Sequence, residues 1–201
     1  MLTLSEHQPF EEGTKRSCYV HPEDPNLCVK VVLDHSGDPK KIAEQRLEIE
    51  DFALLKQRNA PILLEHFPIN EGVVETDFGQ GILTQLLRDF DGQISRNFGD
   101  LIREGGLTLE FKQAIVDLKH WLRSNRCFTR DTGPHNMVAV RLAKDKWKLV
   151  IIEGFVNRKF SWLTRVSRWF SKFMIERELR KLDRRAQGLQ NLWQSSRFIS
   201  E

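Results

Sequence analysis

The sequence predicts an α+β chain in two parts, a small β-rich N-terminal lobe followed by a reduced, mainly helical C-terminal lobe. Three observations carry this. Residues 1–33 and 61–87 read as short strands around one helical stretch; after a break at Arg88–Gly92 a strong amphipathic helix leads into a β-hairpin; and from about Phe160 onward the apolar residues recur at helical spacing. With 201 residues, 40% of them apolar, the chain can bury a real core. Its length fits one domain, with lobes of about residues 1–88 and 93–201.

The N-terminal strands are Leu2–Leu4, Ser17–Val20 and the β-branched run Leu27–Leu33, the last two joined by a turn over His21-Pro22-Glu23-Asp24-Pro25-Asn26. Asp38-Pro39 reads as an N-cap with proline at the first helical position, opening a helix to about Arg58 whose apolar positions are Ile42, Ile49, Phe52 and Ala53. Pro61–Leu87 returns to strands, interrupted at Asn70-Glu71-Gly72 and at Phe78-Gly79-Gln80-Gly81, with a final strand Gly81–Leu87.

In the second half a short helix is expected near Phe98–Arg103, and Gly105-Gly106 ends it. Thr108 then caps a helix striped by Phe111, Ile115, Leu118 and Leu122. Met137–Leu142 and Trp147–Ile152 form a hairpin through Ala143-Lys144-Asp145-Lys146. The last helical region carries Trp162, Val166, Trp169 and Phe173 on one stripe.

Cys18, Cys28 and Cys127 form no CxxC pair, which argues against a disulfide framework or zinc ribbon and suits a reducing cytosol. The start shows no basic n-region with an apolar h-region, and no run approaches the ~18 apolar residues of a membrane span. Secretion by that route and membrane integration are therefore not expected. The net charge of +3 is unevenly placed: residues 158–185 hold ten Lys and Arg against three Asp and Glu, while the remainder is net acidic.

The chemistry-bearing residues come in a set order. Lys30 lies mid-strand, where a half-buried ammonium is costly without an anionic partner. Glu44 and Glu48, one turn apart on the following helix, are candidate partners, Glu48 being favoured. In Thr129-Arg130-Asp131-Thr132-Gly133-Pro134-His135-Asn136, one loop can present a carboxylate to an acceptor hydroxyl and a carboxamide oxygen to a metal. Pro134 stiffens that loop. Glu153 ends the apolar strand Val150-Ile151-Ile152 and precedes Gly154, so its carboxylate can bridge Mg²⁺. A strand lysine, an Asp with an Asn five residues on, and a later carboxylate are the charges that ATP-dependent phosphoryl transfer needs. Ordinary surface positions for Lys30 and Glu153 stay open at this stage. The phosphate-covering loop is sparse, with Gly13 alone between Leu4 and Cys18, flanked by Lys15 and Arg16. None of the six histidines shows metal-ligand spacing.

The Asp131–Asn136 loop is similar to the HRDLKPxN pattern of the protein-kinase-like superfamily, with Lys30 and Glu153 standing where the third-strand lysine and the DFG aspartate fall. More narrowly, the chain resembles the PhoP regulatory network protein YrbL family over roughly residues 1–180. That resemblance is carried by Cys18-Tyr19-Val20-His21-Pro22-Glu23-Asp24, Val29-Lys30-Val31-Val32, Val74-Glu75-Thr76-Asp77 with Gly81, and Asp89-Phe90-Asp91-Gly92. It implies a two-lobed protein-kinase-like fold binding ATP with Mg²⁺: Lys30 and Gly13 at the phosphates, Glu48 orienting Lys30, Gln85 and Leu87 offering backbone groups to adenine. It further implies Asp131 as catalytic base, Asn136 and Glu153 on the metal, and a bacterial cytoplasmic setting tied to the PhoP regulatory network.

Several positions depart from the superfamily pattern. Thr129 replaces the usual His, Gly133 removes the loop lysine, Glu153 replaces Asp, and one glycine stands for the glycine-rich loop. No length remains for an extended peptide-binding lobe, so a small or lipid-linked acceptor is expected. A pseudokinase that binds nucleotide or a regulatory partner without turnover is the alternative. A third reading, from a different class, is a basic binding module: the amphipathic helix of about residues 160–186 would lie on an anionic membrane surface. Nucleic acid is the weaker partner for that helix, since no helix-turn-helix or RNA-module signature accompanies it. A buried aromatic stripe with a solvated cationic face would explain the same pattern.

Overall fold

The computed structural model describes residues 1–13, 16–32, 50, 65–127, 129, 131–154 and 167–199. Apart from Glu50, which is helical, the helix expected over Asp38–Arg58 lies outside these residues, as does Trp162 to Val166 of the aromatic stripe. The architecture is α+β, β-rich in its N-terminal part and helical in its C-terminal part. The chain divides into two compact units, Met1–Leu64 with Pro68–Leu87, and Glu65–Phe67 with Arg88–Glu201.

The first unit is built on a five-stranded antiparallel sheet of β1 (Glu11–Glu12), β2 (Arg16–Val20), β3 (Leu27–Val32), β4 (Asn70–Thr76) and β5 (Gly79–Gln85). Its spatial order is β1-β2-β3-β5-β4. Alternation puts Tyr19, Val29 and Val31 on one face, where they bury Leu4 and pack against Leu2, Val74 and Leu83. β3 and β5 approach closely because position 81 is glycine: a Cβ there would lie 2.8 Å from Val29 Cγ1. On β2 and β3, Cys18 and Cys28 are free thiols in hydrogen-bonding contact. That contact and burial push the Cys28 thiol up.

Two expectations need correcting in this unit. Leu2–Leu4 is not a strand. Leu2 makes one parallel bridge to Thr76, with its N–H donating to the Glu75 carbonyl and its carbonyl accepting the Asp77 N–H, and the Asp77 carboxylate accepts the N–H groups of Leu4 (2.8 Å) and Ser5 (3.0 Å), so backbone and carboxylate together pin the N-terminus. Hydrogen bonds from the Ser5 side chain and from these backbone groups hold Asp77 down at about 2. Asn70-Glu71-Gly72 does not interrupt a strand either. It is an irregularity within β4, where Gly72 takes φ +115° and Asn70 Oδ1 accepts the Gly72 N–H at 2.7 Å while the ladder to β5 continues. The hairpin turn itself is Asp77-Phe78, closed by Thr76 Oγ1 donating to the Gly79 carbonyl at 2.6 Å.

The second unit carries a three-stranded antiparallel sheet, β6 (Arg96–Asn97), β7 (Met137–Ala143) and β8 (Lys146–Ile151). Among the described residues three helices belong with it: α1 (Phe98–Gly105), α2 (Leu109–Ser124) and α3 (Arg168–Ile199). α2 follows the expected logic closely. Thr108 Oγ1 accepts the Phe111 N–H, and Phe111, Ile115, Leu118 and Leu122 are all buried. Phe111 meets Phe98 and Trp147 edge-on, joining α1, α2 and β8 in one core. The segment Glu65–Phe67 adds to it: the His66 ring packs tilted against Trp121, its Nδ1 lies 2.7 Å from the Leu149 carbonyl, and burial pushes its pKa down.

The turn Asp89-Phe90-Asp91-Gly92 clamps Arg141 of β7. Asp89 Oδ1 accepts the Arg141 N–H at 2.9 Å and the Ser95 hydroxyl at 2.6 Å, Asp91 pairs with the guanidinium, and Phe90 lies against it with its ring centroid 4.9 Å away. Gly92 takes φ +83° to close the turn. α3 docks on α1 and α2 through Ser171, Met174, Ile175, Leu179, Leu182 and Ala186, with Lys119–Asp183 and Arg123–Glu176 ion pairs alongside. The sequence left open whether the aromatic stripe is core or surface, and its described members lie at the surface. Trp169 is 76% exposed and Phe173 46%, stacked on each other at 5.9 Å. The reason lies in the docking register: the helix has two apolar stripes, and the one containing Met174, Ile175 and Leu182 meets the other helices.

Candidate functional site

In the first unit, Lys30 sits mid-β3 between Cys28 and Val32, paired in register with Cys18 on β2 and Ile82 on β5. Val29 and Val31 face the Leu4 core, so alternation turns Lys30 to the opposite face with Cys28. It is only 7% exposed there. An ammonium buried to this degree lies on no solvent face. Glu48 lies outside the described residues. Gly13 closes the turn after β1, its N–H donating to the Arg16 carbonyl at 2.8 Å. Gln85 ends β5 with its N–H engaged by the Ile69 carbonyl at 2.8 Å, so that donor is not available to a base; Leu87 follows, half-buried.

In the second unit the loop 131–136 becomes a short 3₁₀ turn, Pro134–Asn136, leading directly into β7. Asp131 Oδ1 accepts the Gly133 N–H at 2.9 Å, an Asx-type turn that shapes the loop from its own carboxylate. Asn136 is buried at the start of β7, and its carbonyl accepts the Ile152 N–H at 2.9 Å. Gly154, at φ +77°, lies against Asp131, where a Cβ would sit 3.2 Å from the Asp131 carbonyl. These two links draw Asp131, Asn136 and Glu153 to one corner of the unit. Sequence spacing had picked all three, and the β7–β8 hairpin is what assembles them.

Other residues supporting this corner were not anticipated. Asn97 caps α1 through Oδ1, which accepts the Gly99 N–H at 2.9 Å, and its Nδ2 donates to the His135 carbonyl at 2.8 Å. Thr132 is buried, and its hydroxyl donates to the Glu178 carbonyl of α3 at 3.0 Å. Glu178 itself is a buried carboxylate (2% exposed), with Lys181 at 2.7 Å and Arg177 at 3.2 Å. Arg185, two turns further along α3, pairs with Asp131, and His135 Nε2 lies 3.8 Å from the other Asp131 oxygen. The cap potential of Asn-Phe-Gly was visible in the sequence; its second bond, to a residue 38 positions away, was not.

The donor set fits magnesium chemistry in a limited way. Asn136 and Glu153 are hard oxygen donors brought together by the Ile152–Asn136 backbone bond. Among the described residues no three His, Cys, Asp or Glu side chains gather into a metal cage. An ion held here would therefore take its remaining ligands from phosphate and water, the usual habit of Mg²⁺.

Comparison with known proteins adds an independent line. The family model of the PhoP regulatory network protein YrbL matches residues 2–187. The YrbL protein of Escherichia coli (strain K12) is 31% identical over 172 residues, covering 84% of this chain and 80% of the relative. The YrbL protein of Shigella flexneri matches to the same extent.

Proposed function

The chain belongs to the PhoP regulatory network protein YrbL family, and on that premise we propose that it is a kinase-like, cytoplasmic ATP-binding protein with phosphotransferase activity on a small or lipid-linked acceptor. The observation that carries the proposal is the convergence of Asp131, Asn136 and Glu153 on one corner of the second unit through the Ile152–Asn136 bond and the Gly154–Asp131 contact. In this reading Asp131 takes the acceptor proton, Asn136 and Glu153 hold Mg²⁺, and Lys30, oriented by Glu48, holds the nucleotide phosphates.

The test is thermal unfolding with and without Mg·ATP. A ligand at 100 times its Kd stabilises by about 2.7 kcal/mol, so wild type should shift clearly and Lys30→Met should not. Asp131→Ala should keep the shift and lose ATP turnover. A shift in wild type without turnover under any acceptor would convert the reading to a pseudokinase, and no shift at all would end it.

A second reading is favoured by the exposed Trp169–Phe173 stack, flanked by exposed Arg168 and Lys172. Two aromatic rings beside two cations suit an anionic lipid surface, where each cation contributes about 1 kcal/mol. Co-sedimentation with phosphatidylglycerol vesicles should be lost in Arg168→Glu/Lys172→Glu and strongly reduced in Trp169→Ser. Unchanged sedimentation of both variants would reject this surface as a membrane contact.

A further inference from the structure

Gly133 is the position where the chain lacks a loop cation, and the structure shows what occupies the space instead. A Cβ at 133 would meet the His135 ring first, at Cε1 and then Nδ1 (2.8 Å), and would lie 2.6 Å from Arg185 Nη1, all closer than real contacts allow. The absence of a side chain at 133 is what lets the guanidinium reach in from α3. There Arg185 Nη1 donates to Asp131 Oδ1, the same oxygen that accepts the Gly133 N–H.

The placement of Arg185 is built rather than incidental. On one side Leu182 and Ala186 are buried and fix the register of α3; on the other Thr132 donates to the Glu178 carbonyl and ties the loop to the same helix. The loop's far end is held by Asn97 through the His135 carbonyl. Yet the pair is not sealed, since the Arg185 side chain is 44% exposed and that of Asp131 31%. A guanidinium carries five N–H donors in a planar fork, and one nitrogen engaged by a carboxylate leaves others for a second anion.

We propose that Arg185 is a catalytic residue that contacts the transferring phosphoryl group, a cation supplied from α3 in place of the missing loop lysine. The inference rests on the phosphotransfer reading above. In the step, the acceptor oxygen forms a bond to the γ-phosphorus of ATP as its proton passes to Asp131. The bond from the γ-phosphorus to the bridging oxygen breaks, and ADP leaves with that electron pair. Arg185 exchanges no proton; it holds the Asp131 carboxylate in place with one nitrogen and offers the others to the phosphoryl oxygens, where negative charge concentrates.

The experiment measures the affinities of the full-length protein for Mg·ATP and Mg·ADP by calorimetry, with ATP turnover alongside. Arg185→Ala should weaken Mg·ATP about tenfold while leaving Mg·ADP unchanged, because a charge-assisted contact to the γ-phosphate is lost. Gly133→Lys introduced into Arg185→Ala should restore the preference, since a lysine at 133 returns a cation to the same place. Gly133→Ala, whose Cβ crowds both the His135 ring and the guanidinium, should lower the ATP-to-ADP preference in the same direction as Arg185→Ala but by less. An unchanged ATP-to-ADP preference in Arg185→Ala would overturn the assignment while leaving the nucleotide reading intact. A wild type that binds neither nucleotide would overturn both. Circular dichroism of each variant without ligand identifies any that fail to fold; if Arg185→Ala is one, Arg185→Gln decides by the same ratio.

Discussion

The five-stranded sheet of the first unit and the 131–136 corner of the second are held by opposite means. In the sheet, alternation sorts Val29, Val31 and Tyr19 onto one buried face, and the strand ladders satisfy the backbone. In the corner few apolar side chains are involved. The loop is held by Asp131 to its own backbone, by Thr132 to α3, by Asn97 to the His135 carbonyl and by Ile152 to Asn136. The sheet is thus a packed layer whose energy is spread over many contacts, whereas the corner is a polar assembly in which each link is single and directional. Polar links of this kind contribute little each to stability, yet they set positions that chemistry depends on.

The contrast is broken most severely by damage to the sheet. Ile82 of β5 is fully buried, and Ile82→Ala should cost about 2–5 kcal/mol, read as a drop in the urea midpoint at unchanged slope. Asn97→Ala sharpens the comparison from the other side. It should cost only about 1 kcal/mol as a lost cap, while under the proposed phosphotransfer function the loosened loop should lower ATP turnover by a larger factor. Equal proportional losses of stability and turnover would contradict the division drawn here.

The smallest effect concerns pH. His66 is buried against Trp121, and burial lowers its pKa below the usual ~6.5. Because the unfolded chain binds the proton more readily, stability from neutral His66 is present above that usual value and is lost as pH falls below it. The melting temperature of wild type should decline between pH 7 and 5 more steeply than that of His66→Gln. Parallel profiles would show that His66 does not titrate with unfolding.

Much of the local structure was legible in the chain. Thr108 and the stripe Phe111, Ile115, Leu118 and Leu122 define α2 because capping and periodicity act within one or two turns. The hairpin of β7 and β8 was readable for the same reason. Where a partner strand or helix decides, local signals misled. Gly72 looks like a terminator in sequence but is tolerated inside β4, since β5 supplies the ladder. For Trp169 and Phe173 the sequence left core and surface both open, and the register of α3 puts them outside.

By itself, then, the sequence determined which segments become strands and helices around β2, β3, α2 and the β7–β8 hairpin, and it singled out Lys30, Asp131, Asn136 and Glu153 by residue type and order. It also determined the family. Only the tertiary structure decided that Arg185 meets Asp131 across 54 positions, that Asn97 holds the loop, and which stripe of α3 is buried. Propensity, capping and alternation are short-range interactions written in neighbouring residues. A guanidinium 54 residues away reaches a carboxylate only after helices have chosen their packing register, and that choice belongs to the folded chain as a whole.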